Sequence, residues 1–366
     1  MRAIAILASL MLVAAACGGT TTPPAATSAP TSAPTAAPTV AATPAPTQDP
    51  VAAFYAGKTV RLIVGYSPGG GYDTYARTLA AHIGKQIPGN PTVIVENMAG
   101  AGSMKALNYI YSAAPKDGTV FGTFGRGLPE AELRGDEGAQ FKSKELTWLG
   151  SMNEEVSVCV VRSTSPVKTL EDAMKQTVTV GATGPNDDTG FFPRILNALV
   201  GTKFELKTGY PGGSDVLLAV ERGEVMGRCG WSWSSVVSTK QQWITDKYVT
   251  ILTQMSLNKH PDIPKEVPLA TEFVKNPDDK LLLEVIFARQ AMGRPYAAPP
   301  GLPAERAKAL QDAFEKTLKD PAFLEAAKKA KQEINPANAA AVKAIIDKIF
   351  STPPALVAKL KEIAAE

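Results

Sequence analysis

A glycine-rich turn is the feature of this sequence best suited to bind a ligand. The stretch GYSPGGGYD, residues 65–73, joins an apolar run at 60–64 to a segment with a helical pattern. The first N–H groups of a helix have no intrahelical acceptors and its dipole is positive there, so such a turn favours an anion. Its three consecutive glycines lack the Cβ atoms that would hold a ligand away. Alternatively, the turn is purely structural and Asp73 only caps the helix.

Signatures of catalysis, nucleotides and metals are missing from the sequence. The glycine turn has no Gly-Lys-Ser/Thr ending and no G-x-G-x-x-G in the dinucleotide register. His82 falls in a predicted helix and His260 in a proline-rich connection, and neither has a partner at metal-ligand spacing. The spacing Gly-x-Ser-x-Gly does occur at residues 65–69, but the sequence places neither histidine beside it as a base. We therefore expect a protein that is not an enzyme and that uses no cofactor and no metal.

Strand-like and helical segments alternate along the chain. One such series covers residues 59–123 and a second covers 157–252, which is typical of βαβ units and mainly parallel sheets. The remainder is rich in helical patterns and is expected to pack back onto the first series. This organisation predicts an α/β protein with two Rossmann-like lobes, lobe 1 from residues 54–154 and 256–366 and lobe 2 from residues 155–255. A ligand cleft would then lie between hinged lobes.

The first fifty residues have a different composition. One early cation, an apolar stretch at 4–13 and three alanines precede Cys17, so residues 1–17 are predicted to be a lipoprotein signal peptide with Cys17 as the lipidated residue. An ordinary cleaved signal is the alternative. Residues 18–53, rich in Thr, Pro and Ala, are predicted to be a disordered linker. We expect a monomer in the cell envelope, lipid-anchored on the outer face of the cytoplasmic membrane or periplasmic.

Three longer stretches carry a resemblance to a known family. They are YSPGGGYDTYAR, VIVENMAGAGSMKALNYIYSAAPKDGT and TGYPGGSDVLLAVERGEVMGRCGWSWSS. Together, and in this order, they resemble the extracytoplasmic solute-binding proteins of tripartite tricarboxylate transporters. The resemblance covers nearly everything from Lys58 onward. It implies a two-lobed, type II periplasmic-binding-protein-like fold that captures a small carboxylate, such as a di- or tricarboxylate or related organic acid, and delivers it to an integral membrane permease.

The resemblance also implies which residues bind the ligand. The turn at 66–73 corresponds to the family's carboxylate cradle, the loop at 182–189 faces it from the second lobe, and the turn at 209–215 precedes another helix. The predicted ligand-binding residues are Tyr66, Pro68, Gly69, Gly70, Gly71, Asp73, Thr123, Arg126, Thr183, Gly184, Asn186, Thr189, Tyr210, Gly212, Ser214 and Trp231. Arg126 is nominated as the cation for a second carboxylate because its planar guanidinium can bind that group bidentately.

Four of these assignments leave alternatives open. The loop at 182–189 carries Asp187 and Asp188, which would repel an anion, so we expect them at the rim or capping the following helix. If they face the cleft instead, a ligand with an amine becomes plausible. Capping alone could explain Ser214, core packing could explain Trp231, and Arg126 could be a surface residue.

The remaining predictions concern the two cysteines, the net charge and the biological role of the protein. Cys159 and Cys229 lie in strand-like runs of an extracytoplasmic protein and could form a disulfide or remain two buried thiols. With 38 basic and 35 acidic residues, the net charge of +3 gives no support for nucleic-acid binding. A binding protein that signals to a receptor is an alternative to transport, and an enzyme on the same scaffold is a weaker one.

Overall fold

Two mixed β-sheets, both packed against helices, form the architecture of this protein. The computed structural model describes residues 49–365, together with Gly19 and Thr22. Its strands are β1 (Thr59–Val64), β2 (Thr92–Asn97), β3 (Val120–Thr123), β4 (Thr147–Ser151), β5 (Ser157–Arg162), β6 (Val178–Gly181), β7 (Phe204–Lys207), β8 (Gly227–Ser232), β9 (Val249–Met255), β10 (Pro295–Ala298) and β11 (Ala337–Asn338). Its α-helices are α1 (Pro50–Tyr55), α2 (Gly71–Ile83), α3 (Met104–Ser112), α4 (Leu128–Arg134), α5 (Leu170–Lys175), α6 (Asp188–Val200), α7 (Gly213–Arg222), α8 (Trp233–Thr245), α9 (Pro277–Phe287), α10 (Ala304–Lys319), α11 (Pro321–Lys329), α12 (Ala339–Phe350) and α13 (Pro354–Ala365).

The first sheet has six strands in the order β11-β4-β10-β3-β1-β2. β1 pairs in parallel with β2 and β3, as βαβ units require. Successive side chains of β1 point to opposite faces: Val60, Leu62 and Val64 join one buried cluster and Ile63 joins another. The sheet is therefore buried on both faces, which explains why β1 reads as an almost continuous apolar run.

β10 and β11 make this sheet mixed, whereas the alternating pattern predicted a mainly parallel one. β10 pairs antiparallel with β3 and β4, and β11 pairs antiparallel with β4. β10 lies between β4 and β3 and begins beside the C-terminal end of β3, where the chain returns to the first sheet after forming the second. It therefore runs in the opposite direction to β3.

The second sheet has five strands in the order β7-β6-β8-β5-β9. β6 is parallel to β7 and β8, while β5 is antiparallel to β8 and β9. β8 covers Gly227–Ser232, and α8 begins directly after it at Trp233. Trp231 is therefore a strand residue.

The C-terminal helices do not all pack on the first sheet. Leu282, Leu283 and Ile286 of α9, and Leu360 and Ile363 of α13, belong to a buried cluster of the second sheet. The prediction that residues 256–366 belong entirely to lobe 1 therefore differs from the observed packing. Apolar positions on these two helices could not be assigned to one sheet or the other from spacing alone.

The N-terminal boundary of the folded part also differs from the expectation. Residues 50–53, predicted to belong to the disordered linker, are the start of α1. Asp49 caps this helix by accepting from Val51 N, and Val51 and Tyr55 pack into the core of the first sheet. The predicted signal peptide, Cys17 and, apart from Gly19 and Thr22, the linker up to residue 48 lie outside the described residues. Over residues 49–365, none of the helices combines the length and the apolar character needed to cross a membrane.

Candidate functional site

A small cavity lies between the two sheets, at the ends of β1, β3 and β8. Its volume is about 50 Å³. The first sheet and its connections contribute Tyr66, Gly69, Gly70, Gly71, Tyr72, Gly125, Arg126 and Arg294. The second sheet and its connections contribute Thr183, Asp187, Asp188, Thr189, Gly213, Ser214, Leu217, Arg228, Gly230, Trp231, Ser232, Ser235 and Thr239. Ligands of α/β proteins bind at such strand ends.

The cavity brings together nine of the sixteen residues that the sequence predicted. These are Tyr66, Gly69, Gly70, Gly71, Arg126, Thr183, Thr189, Ser214 and Trp231. The other seven lie outside its lining: Pro68, Asp73, Thr123, Gly184, Asn186, Tyr210 and Gly212. Several of these position the lining instead. A Cβ at Gly184, for example, would lie 2.7 Å from Gly102 N, so a glycine lets the loop at 182–189 approach the first sheet closely.

The turn before α2 leaves its first helical amides without a side-chain acceptor. The helix begins at Gly71, its N-cap is Gly70, and no described side chain caps it. Asp73 is therefore not the N-cap, as the sequence suggested, but a residue of the first turn. Its Oδ2 accepts from Gly69 N at 2.9 Å, and its other contacts are with Arg77 and Asn97. Gly69 is held at φ +83°, a conformation that favours glycine.

The start of α7 has the same character and faces α2. Gly212 is its N-cap, and no side chain of the described residues caps this helix. A Cβ at Gly70 would lie 3.7 Å from Gly213 N and 3.8 Å from Ser214 N. Two positive helix ends, one from each side, thus meet at the cavity. Both favour a bound anion.

Hydrogen bonds close the two sides over the cavity. Ser67 Oγ donates to Asp215 Oδ2 at 2.5 Å, and Ser214 Oγ donates to the carbonyl oxygen of Pro68 at 2.9 Å. Ser67 N donates to the carbonyl oxygen of Pro211 at 3.3 Å. The side chains of Ser214 and Asp215 therefore bridge the two sides rather than cap α7. A ligand larger than a few water molecules enters only if these contacts open.

Two of the arginines that line the cavity are ion-paired. Arg126 lies 2.5 Å from Asp188 and also donates to Ser157 Oγ at 2.7 Å. Arg294 Nε lies 3.0 Å from Glu155 Oε1. Arg126 thus lines the cavity as predicted, but its guanidinium already has an anionic partner. It is also buried, not a surface residue.

Arg228, the third arginine of the lining, was not singled out in the sequence. It lies in β8 and has no carboxylate within ion-pair distance among the residues described. Burial lowers the pKa of Arg228 to about 10, although Asp187 and Asp188 act in the opposite direction. Its spacing from Trp231 gave no signal, because side chains three residues apart on a regular strand point to opposite faces, and only the irregular pairing of β8 with β5 brings both to the cavity. Arg294 comes from a distant segment.

The two acidic residues of the loop at 182–189 both line the cavity. Asp187 caps α6, as one of the expectations held, and its Oδ1 accepts from Thr189 N at 3.1 Å and Gly190 N at 3.2 Å. Burial raises the pKa of Asp187, while hydrogen bonds from Thr183 and Thr189 oppose that effect. Asp188 pairs with Arg126 and also with a second buried arginine, Arg289, whose Nη2 lies 2.9 Å from Asp188 Oδ1. Arg289 also pairs with Glu130, whose pKa is raised to about 7 by burial.

Aromatic rings complete the wall. Tyr66 and Tyr72 are stacked with centroids 4.9 Å apart, and burial raises the pKa of both hydroxyls. Trp231 is buried, packs edge-on against Trp243, and lies 5.5 Å from the Arg228 guanidinium. Trp231 therefore combines the two roles that the sequence left open, core packing and lining of the cavity.

Cys159 and Cys229 form a disulfide that joins β5 and β8. The two strands are adjacent in the second sheet, and both cysteines are fully buried. The bond closes a segment of 70 residues. It lies next to Arg228 in the chain and so fixes the strand that carries the cavity's arginine and tryptophan.

A second polar cluster lies away from the cavity. Ligand atoms of His260, Asp262 and Glu333 lie within 4.8 Å of one another, an arrangement that could hold a metal ion and that also occurs without one. His260 Nε2 is 3.5 Å from Glu333 Oε1. This cluster was not recognisable in the sequence, because Glu333 comes from a distant part of the chain.

Comparison with known proteins assigns the fold and the family. The BugD periplasmic binding protein is 21% identical, the match covers 85% of this chain and 99% of that chain, and the TM-score is 0.69. Malate-bound MatC from Rhodopseudomonas palustris is 18% identical over 84% and 99%, with a TM-score of 0.65. An R. palustris protein with adipate is 15% identical, the match covers 84% of this chain and 97% of that chain, and the TM-score is also 0.65. These likenesses confirm the predicted two-lobed periplasmic-binding-protein fold.

Among curated proteins, no match to the chain was found. The model of the tripartite tricarboxylate transporter family receptor, in contrast, matches residues 75–361. This match covers most of the chain and confirms the resemblance found in its motifs. The chain therefore belongs to the tripartite tricarboxylate transporter receptor family of solute-binding proteins.

Proposed function

We propose that this protein captures a small carboxylate outside the cytoplasmic membrane and delivers it to a tripartite tricarboxylate-type permease. The observation that carries the proposal is the convergence of two helix starts, at Gly70 and at Gly213, on one cavity between the lobes. Neither helix start is capped by a described side chain, so their amides are free to hold a carboxylate.

Closure of the lobes provides the binding mechanism. In the open state the acid reaches the amides at the start of α2. The second lobe then closes and brings the start of α7 against the bound acid. The contacts of Ser67 and Ser214 form across the entrance of the cavity. Because closure removes water, each charge-assisted hydrogen bond inside becomes stronger.

The solved structures give a starting set of ligands. One related structure contains malate and another adipate, both small organic acids.

In our proposal the lobes correspond to the two sheets, with α9 and α13 assigned to the second. We propose a monomer anchored through a lipid on Cys17, without catalytic activity, cofactor or metal.

A thermal-shift screen of organic acids tests the function. A ligand present at one hundred times its Kd stabilises the folded state by about 2.7 kcal/mol, which gives a clear shift in Tm. We expect shifts with small carboxylates and none with amines of the same size. Isothermal titration calorimetry should then show binding of one acid per chain. Shifts with amines alone, or turnover of a bound acid, would contradict the proposal.

The anchor has its own test. A Cys17→Ser variant expressed with its N-terminal segment should be released into the soluble envelope fraction, whereas the unmodified protein should stay with membranes. Mass spectrometry of the N-terminal peptide should show acyl chains only when Cys17 is present. Equal fractionation of both proteins would exclude Cys17 as the anchor.

A further inference from the structure

Arg228 is a buried arginine whose guanidinium is only partly satisfied. Its residue is 8% exposed, and it lines the cavity. Nη1 donates to the carbonyl oxygen of Gly213 at 3.1 Å. Nε has no hydrogen-bond partner among the described residues; the same is true of Nε in Arg126 and Arg294, but those two arginines have carboxylate partners and Arg228 has none among the described residues. A buried donor without an acceptor is costly, so a group on the ligand is the natural acceptor here.

The guanidinium and the two helix starts surround a single point. A Cβ at Gly213 would lie 2.9 Å from both Nη1 and Nη2 of Arg228. Gly70 approaches Gly213 from the other lobe, with its Cβ position 3.7 Å from Gly213 N. One carboxylate placed there can accept from free amides and from the arginine, which neutralises its charge.

The rest of the charged lining cannot take a second carboxylate. Arg126 is occupied by Asp188, and Arg294 by Glu155. These pairs leave Arg228 as the lining arginine without an anionic partner in residues 49–365. Asp187 adds a negative group to the wall, held there as the cap of α6. A second carboxylate would face these acids without a free cation, and like charges brought together in a dry site repel strongly.

We propose that the ligand carries one carboxylate, bound by Arg228 and the starts of α2 and α7, and that the acidic wall selects against di- and tricarboxylates. This inference rests on the proposed function and narrows its substrate class to small monocarboxylates. The remainder of the ligand is neutral and contacts the hydroxyls and aromatic rings of the lining. Ser235 and Tyr72 are examples of such groups.

Matched pairs of acids test the inference by calorimetry on the purified chain. Butyrate and succinate, and 2-hydroxybutyrate and malate, differ only in that a methyl group is replaced by a carboxylate. We expect at least tenfold tighter binding of the monocarboxylate in the preferred pair. Tighter binding of succinate or malate would overturn the inference and leave the proposed function intact. Failure to bind any carboxylate would overturn both.

Amino acids provide a further arm. 2-Aminobutyrate has the same carboxylate and carbon chain as 2-hydroxybutyrate but adds an ammonium group. We expect it to bind more weakly, because one carboxylate already balances Arg228 and a buried ammonium, like a second carboxylate, would be a charge without a free partner: the oxygens of Asp187 and Asp188 are engaged by their own donors. Tighter binding of 2-aminobutyrate would assign the acidic wall to an ammonium group and overturn the inference.

Arg228→Met tests the role of the guanidinium. We expect at least tenfold weaker binding of the preferred monocarboxylate, with Arg228→Lys intermediate because Lys keeps the charge but not the fork. Arg222→Met is the matched control, since Arg222 ends α7 and its side chain is 62% exposed. This variant should bind the monocarboxylate with the affinity of the unmodified protein. Unchanged affinity in a folded Arg228→Met protein would exclude Arg228 as the carboxylate partner.

Asp187→Asn tests the acidic wall independently of Arg228. Asn is as good a helix cap as Asp, so the fold should be kept while one negative charge is removed. We expect the affinity for malate relative to 2-hydroxybutyrate to rise at least fivefold. An unchanged ratio would show that the wall does not discriminate and would overturn that part of the inference.

Discussion

The backbone of Gly70 in the first lobe faces the backbone nitrogen of Gly213 in the second. A Cβ at Gly70 would lie 3.7 Å from that nitrogen, which is ordinary van der Waals contact. The two lobes therefore approach each other at this point through backbone alone. The closed cavity exists because both positions lack side chains.

Gly70→Val should abolish ligand-induced stabilisation. Gly70 has φ −82° and ψ 169°, a conformation that valine readily adopts, so the isolated lobe should fold normally. The added methyl groups would instead occupy the space between the starts of α2 and α7 and block closure. Thermal-shift and calorimetric titrations with a bound acid measure the loss. Gly70→Ala adds only one carbon and should lose less affinity. Equal affinities of the Gly70→Val variant and the unmodified protein for the acid would argue against this site.

Arg126→Met should mainly destabilise the fold. It leaves Asp188 in the wall with one arginine instead of two, and it removes the hydrogen bond to Ser157 in the second lobe. Breaking a buried ion pair by removing one partner costs about 3–5 kcal/mol. Urea unfolding of the ligand-free protein measures this loss, with Arg222→Met as the exposed control. A large loss of affinity at unchanged stability would instead return Arg126 to the role of ligand partner.

The disulfide should contribute to stability rather than to affinity. Closing a 70-residue segment restricts the unfolded chain, and loop-closure entropy assigns roughly 4 kcal/mol to a loop of this length. The double variant Cys159→Ser/Cys229→Ser should therefore unfold at lower urea concentration. Its affinity for a bound acid should stay within about threefold at a temperature where it is folded, since neither sulfur lines the cavity. A strong loss of affinity without loss of stability would contradict this assignment.

His260 should make stability depend on pH. Burial, the largest effect, lowers its pKa, but the hydrogen bond to Glu333 and the charges of Glu333, Asp262 and Glu155 outweigh burial and raise it above 6.5. A raised pKa in the folded state favours the protonated histidine. The resulting stability is full below pH 6.5 and is lost as the pH rises through the folded pKa.

The measurement is urea unfolding at steps between pH 6 and 8.5. The expected change is under about 1 kcal/mol, as for other partly exposed ion pairs. Glu333→Gln and His260→Gln should each flatten the curve over this range. The same slope in both variants and the unmodified protein would show that another group titrates.

The sequence predicted the class of fold because its signals are local. Alternating apolar runs and helical periods depend on neighbours in the chain, so the apolar run at 60–64 forms β1 and the segment after the glycine turn forms α2. The glycine turn before α2 is local too, and it lines the cavity as predicted. The family motifs extended this local information to the two-lobed arrangement, which the solved structures confirm.

Tertiary structure decided which charges in the cavity are free. The sequence pointed to Arg126 as a cation for the ligand, but folding places it against Asp188, a residue 62 positions away, whereas Arg228 has no carboxylate within ion-pair distance in the part of the chain that the structure describes. The same holds for the antiparallel entry of β10 and for the packing of α9 and α13 on the second sheet. Ion pairing and burial depend on contacts between distant segments, and residue type and spacing do not contain those contacts. The sequence therefore predicted a glycine turn suited to an anion, and the fold determined which charged side chains surround that turn and which of them are paired.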